Sequence, residues 1–268
     1  LIAMLFGMYA PNVNGAYAAD KSGDVKARYL PQETAEQFGN LFILYNNRIC
    51  PMQTFAIDFT KKLYGADSYK GLTAEQVLTG WIFWGDDWMN EPMLKIKGGE
   101  LKETLQLPDY VSANTFFNKE MGGYTIGPYV KEYYDGNHDK FNTQAIAIDD
   151  KIQLLVNLQR GVVLKIFPYT LQGKTTWLAP TDEQPQTMSL QNKRFIKSVL
   201  ALLYSEAEAK NYKQMDEIVG KLLKYQASNA GTSLPTANQV AAERTYNDIP
   251  FANNLFMLCL TMGFVTFM

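Results

Sequence analysis

The sequence predicts a mainly α protein: a helical domain with a few short β-hairpins, flanked by truncated membrane-segment ends. Three observations lead there. Apolar residues recur three and four apart through long stretches of the 268 residues, above all in 143–161, 189–210 and 212–226, which is the spacing of one helix face. Strand-like runs are few and short, and they meet at Asn or Gly turns. An uncharged apolar run stands near each end, over 1–10 and 255–268. The chain therefore divides into an apolar end and linker (1–29), a soluble, mainly helical region (30–250) and the start of a transmembrane helix (251–268).

Residues 11–29 mix Asn, Gly, Ala, Asp and Lys without periodicity and read as linker. Pro31 opens a short helix that Gly39 stops. Residues 41–45 and 48–52 are apolar arms around Asn46-Asn47. Asparagine tolerates positive φ, so a two-residue hairpin turn is expected there. Pro51 lacks an N–H for the ladder, so its arm is an edge or ends close by. Thr54 is expected to cap a helix from Phe55 to Tyr64, with Gly65 as its left-handed stop. Thr73 and Gln76 form a capping box that opens a second helix through Trp84, closed by Gly85. Residues 93–97 alternate and read as an edge strand. A helix over 100–107 stops before Pro108, Ser112 caps a helical stretch around Phe116, and 128–134 make a helical turn or two.

From Asn142 or Thr143 to Gly161, Ile146, Ile148, Ile152, Leu155 and Val156 hold near-helical spacing. Residues 162–167 are short and β-branched, and with 175–178 they predict a hairpin across Gly173. A polar, proline-bearing loop covers 179–187. Two amphipathic helices follow, with stripes at Phe195, Val199, Leu202 and Leu203, and at Met215, Ile218, Val219, Leu222 and Leu223. One helical hairpin without a second copy at a fixed period makes no solenoid. Pro235 starts a last helix to about Asn247, which feeds the terminal apolar run.

Composition removes several function classes. The formal charge is −2 and the Lys residues are scattered, so no basic stripe stands ready for nucleic acid. Two cysteines and one histidine give neither a disulfide framework nor zinc-ligand spacing. No Gly-rich phosphate loop, Gly-x-Ser-x-Gly elbow or His-Glu-x-x-His is present, which argues against a self-contained hydrolase or nucleotide enzyme. A membrane span needs about 20 apolar residues. Both end runs are shorter, and the reading is a segment cut from between two membrane helices. The rival for 1–10 is a signal-peptide remnant, because Ala16-Tyr17-Ala18 resembles a cleavage site; the rival for the C-terminal run is a buried core helix. No Lys or Arg lies within 10–20 or 245–254, which favours the non-cytoplasmic side.

The densest patterning lies in 41–88. There the order Arg48-Ile49-x-Pro51-x-x-Thr54-x-Ala56, then Lys62-x-x-Gly65, then Gly71-Leu72-Thr73-Ala74-x-Gln76-Val77-x-x-Gly80-Trp81 resembles the extracytoplasmic segment of fused System II cytochrome c synthases. These are the CcsBA-type cytochrome c biogenesis proteins, and the likeness is greatest to Bacteroidetes forms. It continues thinly through Phe167-Pro168 and the stretch from Trp177 to Pro180, and resumes from Glu243 to Phe251. It thus covers most of the chain, with only the first block specific. The resemblance implies a whole protein that moves haem across the inner membrane and joins its vinyl groups to two thiols of apocytochrome c. Haem would be the cofactor of that whole protein, with its ligands outside this region. This region would lie on the periplasmic face, hold no complete active site, and position the apocytochrome or brace the haem path. Its partners would be apocytochrome c, the remaining membrane portion of the same protein, and membrane lipid at both ends; nucleic acid would not be one.

No residue is singled out as catalytic or as a metal ligand. The residues that could face haem or apocytochrome are Trp81, Trp84, Trp88, Arg48 and Cys50. In a helix the three tryptophans share one face, which describes a ligand platform and a core stripe equally well. The tryptophan-rich haem loop of the resembled family belongs between membrane helices, and Met89-Asn-Glu-Pro92 does not match the tail expected after it. Cys50 beside Arg48 has the charge of a reactive thiol but the apolar neighbours of a core residue. His138, between Asn137 and Asp139, reads as a surface residue rather than an iron ligand. Asp86-Asp87 and Asp149-Asp150 lack metal-ligand spacing, and the second pair reads as a solvated helix face. The competing reading is a membrane-anchored or secreted α-helical binding module unrelated to haem; a helical enzyme with unpaired carboxylates stands behind it.

Overall fold

Pro31 (φ −53°, ψ 147°) sits in extended backbone with no N–H to leave unpaired, and α1 (Gln32–Gly39) starts immediately after it. The computed structural model describes residues 25–118, 123–249 and 251–267. The apolar run 1–10 and the first part of the linker expected over 11–29, as far as residue 24, lie outside the described residues. Asn46 (φ 48°) and Asn47 (φ 60°) both take left-handed backbone, which closes β1 (Phe42–Tyr45) onto β2 (Arg48–Pro51) with Tyr45 opposite Arg48. Helix α2 (Met52–Tyr64) begins three residues earlier than the Thr54 cap predicts. Pro51 provides the extended N-cap instead, and the Thr54 hydroxyl is used elsewhere. Gly65 ends α2 at φ 92° with its N–H on Lys61 O.

A second two-residue turn, Lys70-Gly71 at φ 47° and 86°, joins β3 (Ser68–Tyr69) to β4 (Leu72–Thr73). The capping box then opens α3 (Ala74–Phe83): Thr73 Oγ1 accepts from Gln76 N–H at 3.3 Å, and Gln76 Oε1 accepts from Thr73 N–H at 3.1 Å. The same side chain donates from Nε2 to Leu30 O at 2.9 Å, tying the entry of α1 to the start of α3. Trp84 (φ −131°, ψ 46°) breaks the helix, and α4 (Gly85–Trp88) restarts in a new direction.

Small elements follow: β5 (Leu94–Lys95) pairs with β6 (Tyr110–Val111) across α5 (Glu100–Thr104), and a 3-10 turn at Ala113–Phe116 leads into the ribbon of β7 (Phe117–Asn118) and β8 (Gly123–Tyr124). Then come α6 (Gly127–Tyr134) and α7 (Lys140–Gln159), the latter capped by Asp139. The strand expected at Val162 begins at Phe167. Gln172 (φ 49°) and Gly173 (φ 78°) form the hairpin turn, so the register runs from Leu171 opposite Lys174 to Phe167 opposite Leu178. That leaves β9 (Phe167–Leu171) and β10 (Lys174–Leu178), while Val162 and Val163 lie in the turn behind α7.

Helices α8 (Leu190–Glu208) and α9 (Tyr212–Asn229) pair as a hairpin. The buried stripe of α8 is Ile196, Val199, Leu203 and Ala207, rather than the stripe expected through Phe195 and Leu202; Leu202 is 48% exposed. Those four recur at three- and four-residue steps, so they share one face, which Leu202 does not. In α9, Met215, Ile218, Val219 and Leu222 are buried as predicted. Helices α10 (Ala237–Asp248) and α11 (Phe251–Phe267) close the described chain. The fold is mainly α, with every sheet among the described residues a two-stranded antiparallel ribbon.

One core runs through α1, α2, α3, α7, α8 and α9. Its polar members are satisfied in ways the sequence hides. Gln226 on α9 is fully buried; Oε1 accepts from Phe42 N–H at 2.9 Å, and Nε2 donates to Phe42 O at 2.7 Å and Ile166 O at 2.8 Å. It thereby pairs both backbone groups of Phe42 on the outward edge of β1, beside the Leu44 N–H that donates to Lys165 O at 3.0 Å; Pro51 is the register partner of Phe42 on the other side. Glu91 is buried and accepts from Lys26 N–H, Ala27 N–H and Tyr69 OH, so residues 26–27 are packed onto the domain. Asp149 is buried rather than solvated, because Tyr124 OH donates to it at 2.6 Å; only Asp150 is exposed.

Helix α11 has the opposite character. It is uncharged over 17 residues, and every side chain from 255 to 266 is exposed. No helix among the described residues is long and apolar enough to cross a membrane.

Candidate functional site

The two sequence blocks that carry the resemblance, near residue 50 and near residue 245, meet in space. Arg48 leaves the end of the first hairpin, and its Nη1 donates to Glu243 Oε1 at 2.8 Å and Oε2 at 2.9 Å. Thr54 Oγ1, on the first turn of α2, donates to the same Glu243 Oε1 at 2.7 Å and accepts from Asn247 Nδ2 at 3.1 Å. Arg244 reaches across to donate to Asn40 Oδ1 beyond α1. Glu243 is 19% exposed against 51% for Arg48, so the carboxylate lies in the joint and the guanidinium lids it. The capping box of Thr236 and Gln239 starts α10 in register for this contact. Helix α10 is thereby latched to α1, β2 and α2, and it leads directly towards the exposed apolar α11. Glu243 and Arg244 were not among the expected site residues. Their block was visible in the sequence, but a partner 195 positions away leaves no local signal.

Cys50, two residues from Arg48 on β2, is fully buried, with Sγ 4.0 Å from Ile43 O. Burial pushes its thiol up to about 11, although Arg48 pulls the other way. Because the thiolate is the nucleophile, the folded chain is expected to leave Cys50 unmodified by iodoacetamide at pH 8, with alkylation only after unfolding in urea. Peptide mapping by mass spectrometry checks this; fast native-state labelling would place the thiol outside the core.

The break at Trp84 parts that ring from the other two tryptophans, which pack together. Trp88 is fully buried; its ring centroid is 6.0 Å from that of Trp81 and 5.9 Å from that of Tyr69, and Nε1 donates to Arg28 O at 2.8 Å. Trp81 donates to Met93 Sδ at 3.2 Å. Trp84 turns the other way: Nε1 donates to Glu208 Oε1 on α8, and the Arg28 guanidinium lies 5.4 Å from its ring centroid. Arg28 also binds Asp87 at 2.6 Å and Glu208 at 2.7 Å, and the Asp87 hydrogen bond raises its pKa. This corner borders a cleft of about 280 Å³, with a second of about 230 Å³ alongside.

Haem does not fit these residues as a resident group. No His, Cys or Met lines either cleft, so neither offers the usual axial ligands of haem iron. His138 is exposed between α6 and α7, packed edge-on against Tyr133 at 4.4 Å. Among the described residues no cluster of His, Cys, Asp or Glu could hold a metal ion.

No family model matches the chain. The chain is similar to Protein NrfI of Wolinella succinogenes, at 22% identity over 240 residues, which is 87% of this chain and 26% of that protein. It therefore spans about a quarter of the length of the relative it matches.

Proposed function

We propose that this chain is the extracytoplasmic region of a cytochrome c biogenesis membrane protein of the fused synthase type. It lies on the periplasmic face of the inner membrane and positions apocytochrome c or braces the haem path. The observation that carries this reading is the latch: Arg48 and Thr54, from the specific block of the resemblance, grip Glu243 and Asn247 from the last block. The likeness to NrfI extends over most of the chain and supports the same reading. Helix α11 then begins a transmembrane segment. A helix that is apolar all round and exposed on every side needs an apolar phase around it, and the bilayer is one. Its 17 residues rise about 26 Å, a little under the roughly 30 Å of a bilayer core. The work of this region is then geometric. Arg48, Glu243 and Arg244 fix the angle between the membrane helix and the domain, and the whole protein supplies haem and the thioether chemistry elsewhere.

Glu243→Ala in the membrane-embedded protein leaves the buried Thr54 hydroxyl without an acceptor for its proton, a cost of about 1–3 kcal/mol, and releases the exposed Arg48 guanidinium to water. Holocytochrome yield is expected to fall about tenfold at an unchanged level of the protein, since 1.4 kcal/mol is a factor of ten. Arg48→Glu combined with Glu243→Arg restores part of it. Pull-down of an apocytochrome segment bearing Cys-x-x-Cys-His is expected to fail once residues 48–88 are deleted. Full haem attachment and full apocytochrome capture by both the latch variant and the deletion would overturn the proposal.

A further inference from the structure

The two clefts beside Trp84 run together, because Ile82, Phe83, Gln159 and Tyr204 line both. Together they form a groove between the α3–α4 corner, the end of α7 and the middle of α8. Its two ends differ in chemistry. One end is apolar, with Leu164, Pro180 and Leu200 beside Phe83. The other end is acidic: Asp86 and Asp87 line it, and Glu208 stands behind Trp84. Helices α3 and α7 also end at the groove, and helix C-termini carry partial negative charge. Arg28 is the cation at this end, and both Asp87 and Glu208 already share it. Asp86 is exposed and forms no ion pair among the described residues. Arg160 is the other cation lining the groove, and it lies at the apolar end.

We infer that this groove is a docking site for an extended polypeptide segment carrying a lysine or arginine next to a bulky apolar side chain. The cationic side chain meets Asp86 beside the Trp84 indole, and its stem lies along Tyr204, which is 45% exposed. The neighbouring apolar side chain enters between Phe83 and Leu200. Arg160 faces the carbonyls of the segment beyond it. The groove is too short for a folded partner and fits a segment of a few residues in an extended conformation. This inference rests on the proposed function in one respect: the biological source of such a segment is the unfolded apocytochrome.

The test uses the full chain held in lipid nanodiscs and two fluorescein-labelled peptides, Gly-Ser-Lys-Leu-Phe-Ser-Gly and its Lys→Glu counterpart. Fluorescence anisotropy is expected to show the lysine peptide binding about tenfold more tightly, with the difference shrinking as salt rises. Asp86→Lys inverts the charge at an exposed position and is expected to weaken the lysine peptide about tenfold; Asp86→Asn weakens it less, and Tyr204→Ala weakens both peptides. Unchanged near-ultraviolet circular dichroism verifies that each variant is folded. Equal affinity for the two peptides, or no effect of Asp86→Lys, would overturn the inference. The two proposals fail separately. Apocytochrome captured equally by Asp86→Lys and wild type removes the groove and leaves the proposed function standing. Charge-selective peptide binding by the intact chain, together with full haem attachment and full apocytochrome capture in both the latch variant and the deletion, keeps the groove and removes that function.

Discussion

Trp88→Ala is expected to cost the chain about 3–5 kcal/mol of folding stability, read as a lower urea midpoint at unchanged slope. The ring is fully buried, contacts Trp81 and Tyr69, and spends its N–H on the Arg28 carbonyl. Truncation removes that area, leaves a cavity where α4 returns against α3, and orphans a backbone acceptor. The opposite change at the same contact gives the complementary result. A Cβ at Gly80 would lie 2.4 Å from Trp88 Nε1 and 2.5 Å from its Cε2, closer than side-chain carbons approach. Gly80→Ala therefore forces the indole out of place and is expected to cost about 1–3 kcal/mol by overpacking, beyond any helix-propensity gain. These outcomes separate the two meanings of the tryptophan cluster. A residue kept for an external ligand can be truncated with little loss of stability, so a Trp88→Ala cost below about 1 kcal/mol would move that ring from the core to a binding face.

Local chemistry made much of the fold readable. Asn46-Asn47 supplied the φ values a tight hairpin needs, the Thr73–Gln76 pair started α3, and Gly65 stopped α2; each signal lies within four residues of its effect. The misreadings share a distant partner. Thr54 has the chemistry of an N-cap, yet its hydroxyl serves Glu243, 189 positions on, and Pro51 takes over the cap. Val162 and Val163 have strand propensity, but the Gln172-Gly173 turn sets the register and leaves them outside it. Asp149 looked solvated because its partner, Tyr124, lies 25 positions earlier on another element. Of the expected site residues, Arg48 gained a partner no spacing announces, and Cys50 and Trp88 went into the core because the folds of β2 and α4 close over them. The helix break at Trp84, which turns that ring away from Trp81 and Trp88, was announced only by Gly85.

Gln226→Glu is expected to convert a pH-insensitive joint into a pH-sensitive one. The amide presents its oxygen to Phe42 N–H and its Nε2 to Phe42 O and Ile166 O, with the side chain fully buried. A carboxylate at that place keeps the first contact and sets its second oxygen against two carbonyls. As an uncompensated buried charge it costs about 3–5 kcal/mol at neutral pH. The fold therefore holds this carboxyl protonated well above the roughly 4.3 of the unfolded chain. Below about pH 4.3 both states are protonated, and the acid form donates to one of the two carbonyls, so most of the loss is absent. As pH rises from there towards the raised folded value, the unfolded chain binds fewer protons than the fold. Relative to wild type, stability then falls by about 1.4 kcal/mol per pH unit. Gln226→Leu strands the same three backbone groups with no titrating atom, so its loss of about 2–5 kcal/mol stays flat with pH. Urea midpoints for wild type and both variants between about pH 4 and pH 8 decide the matter. Parallel curves for the Glu and Leu variants would mean that the side chain reaches water and that the Phe42 edge does not depend on α9.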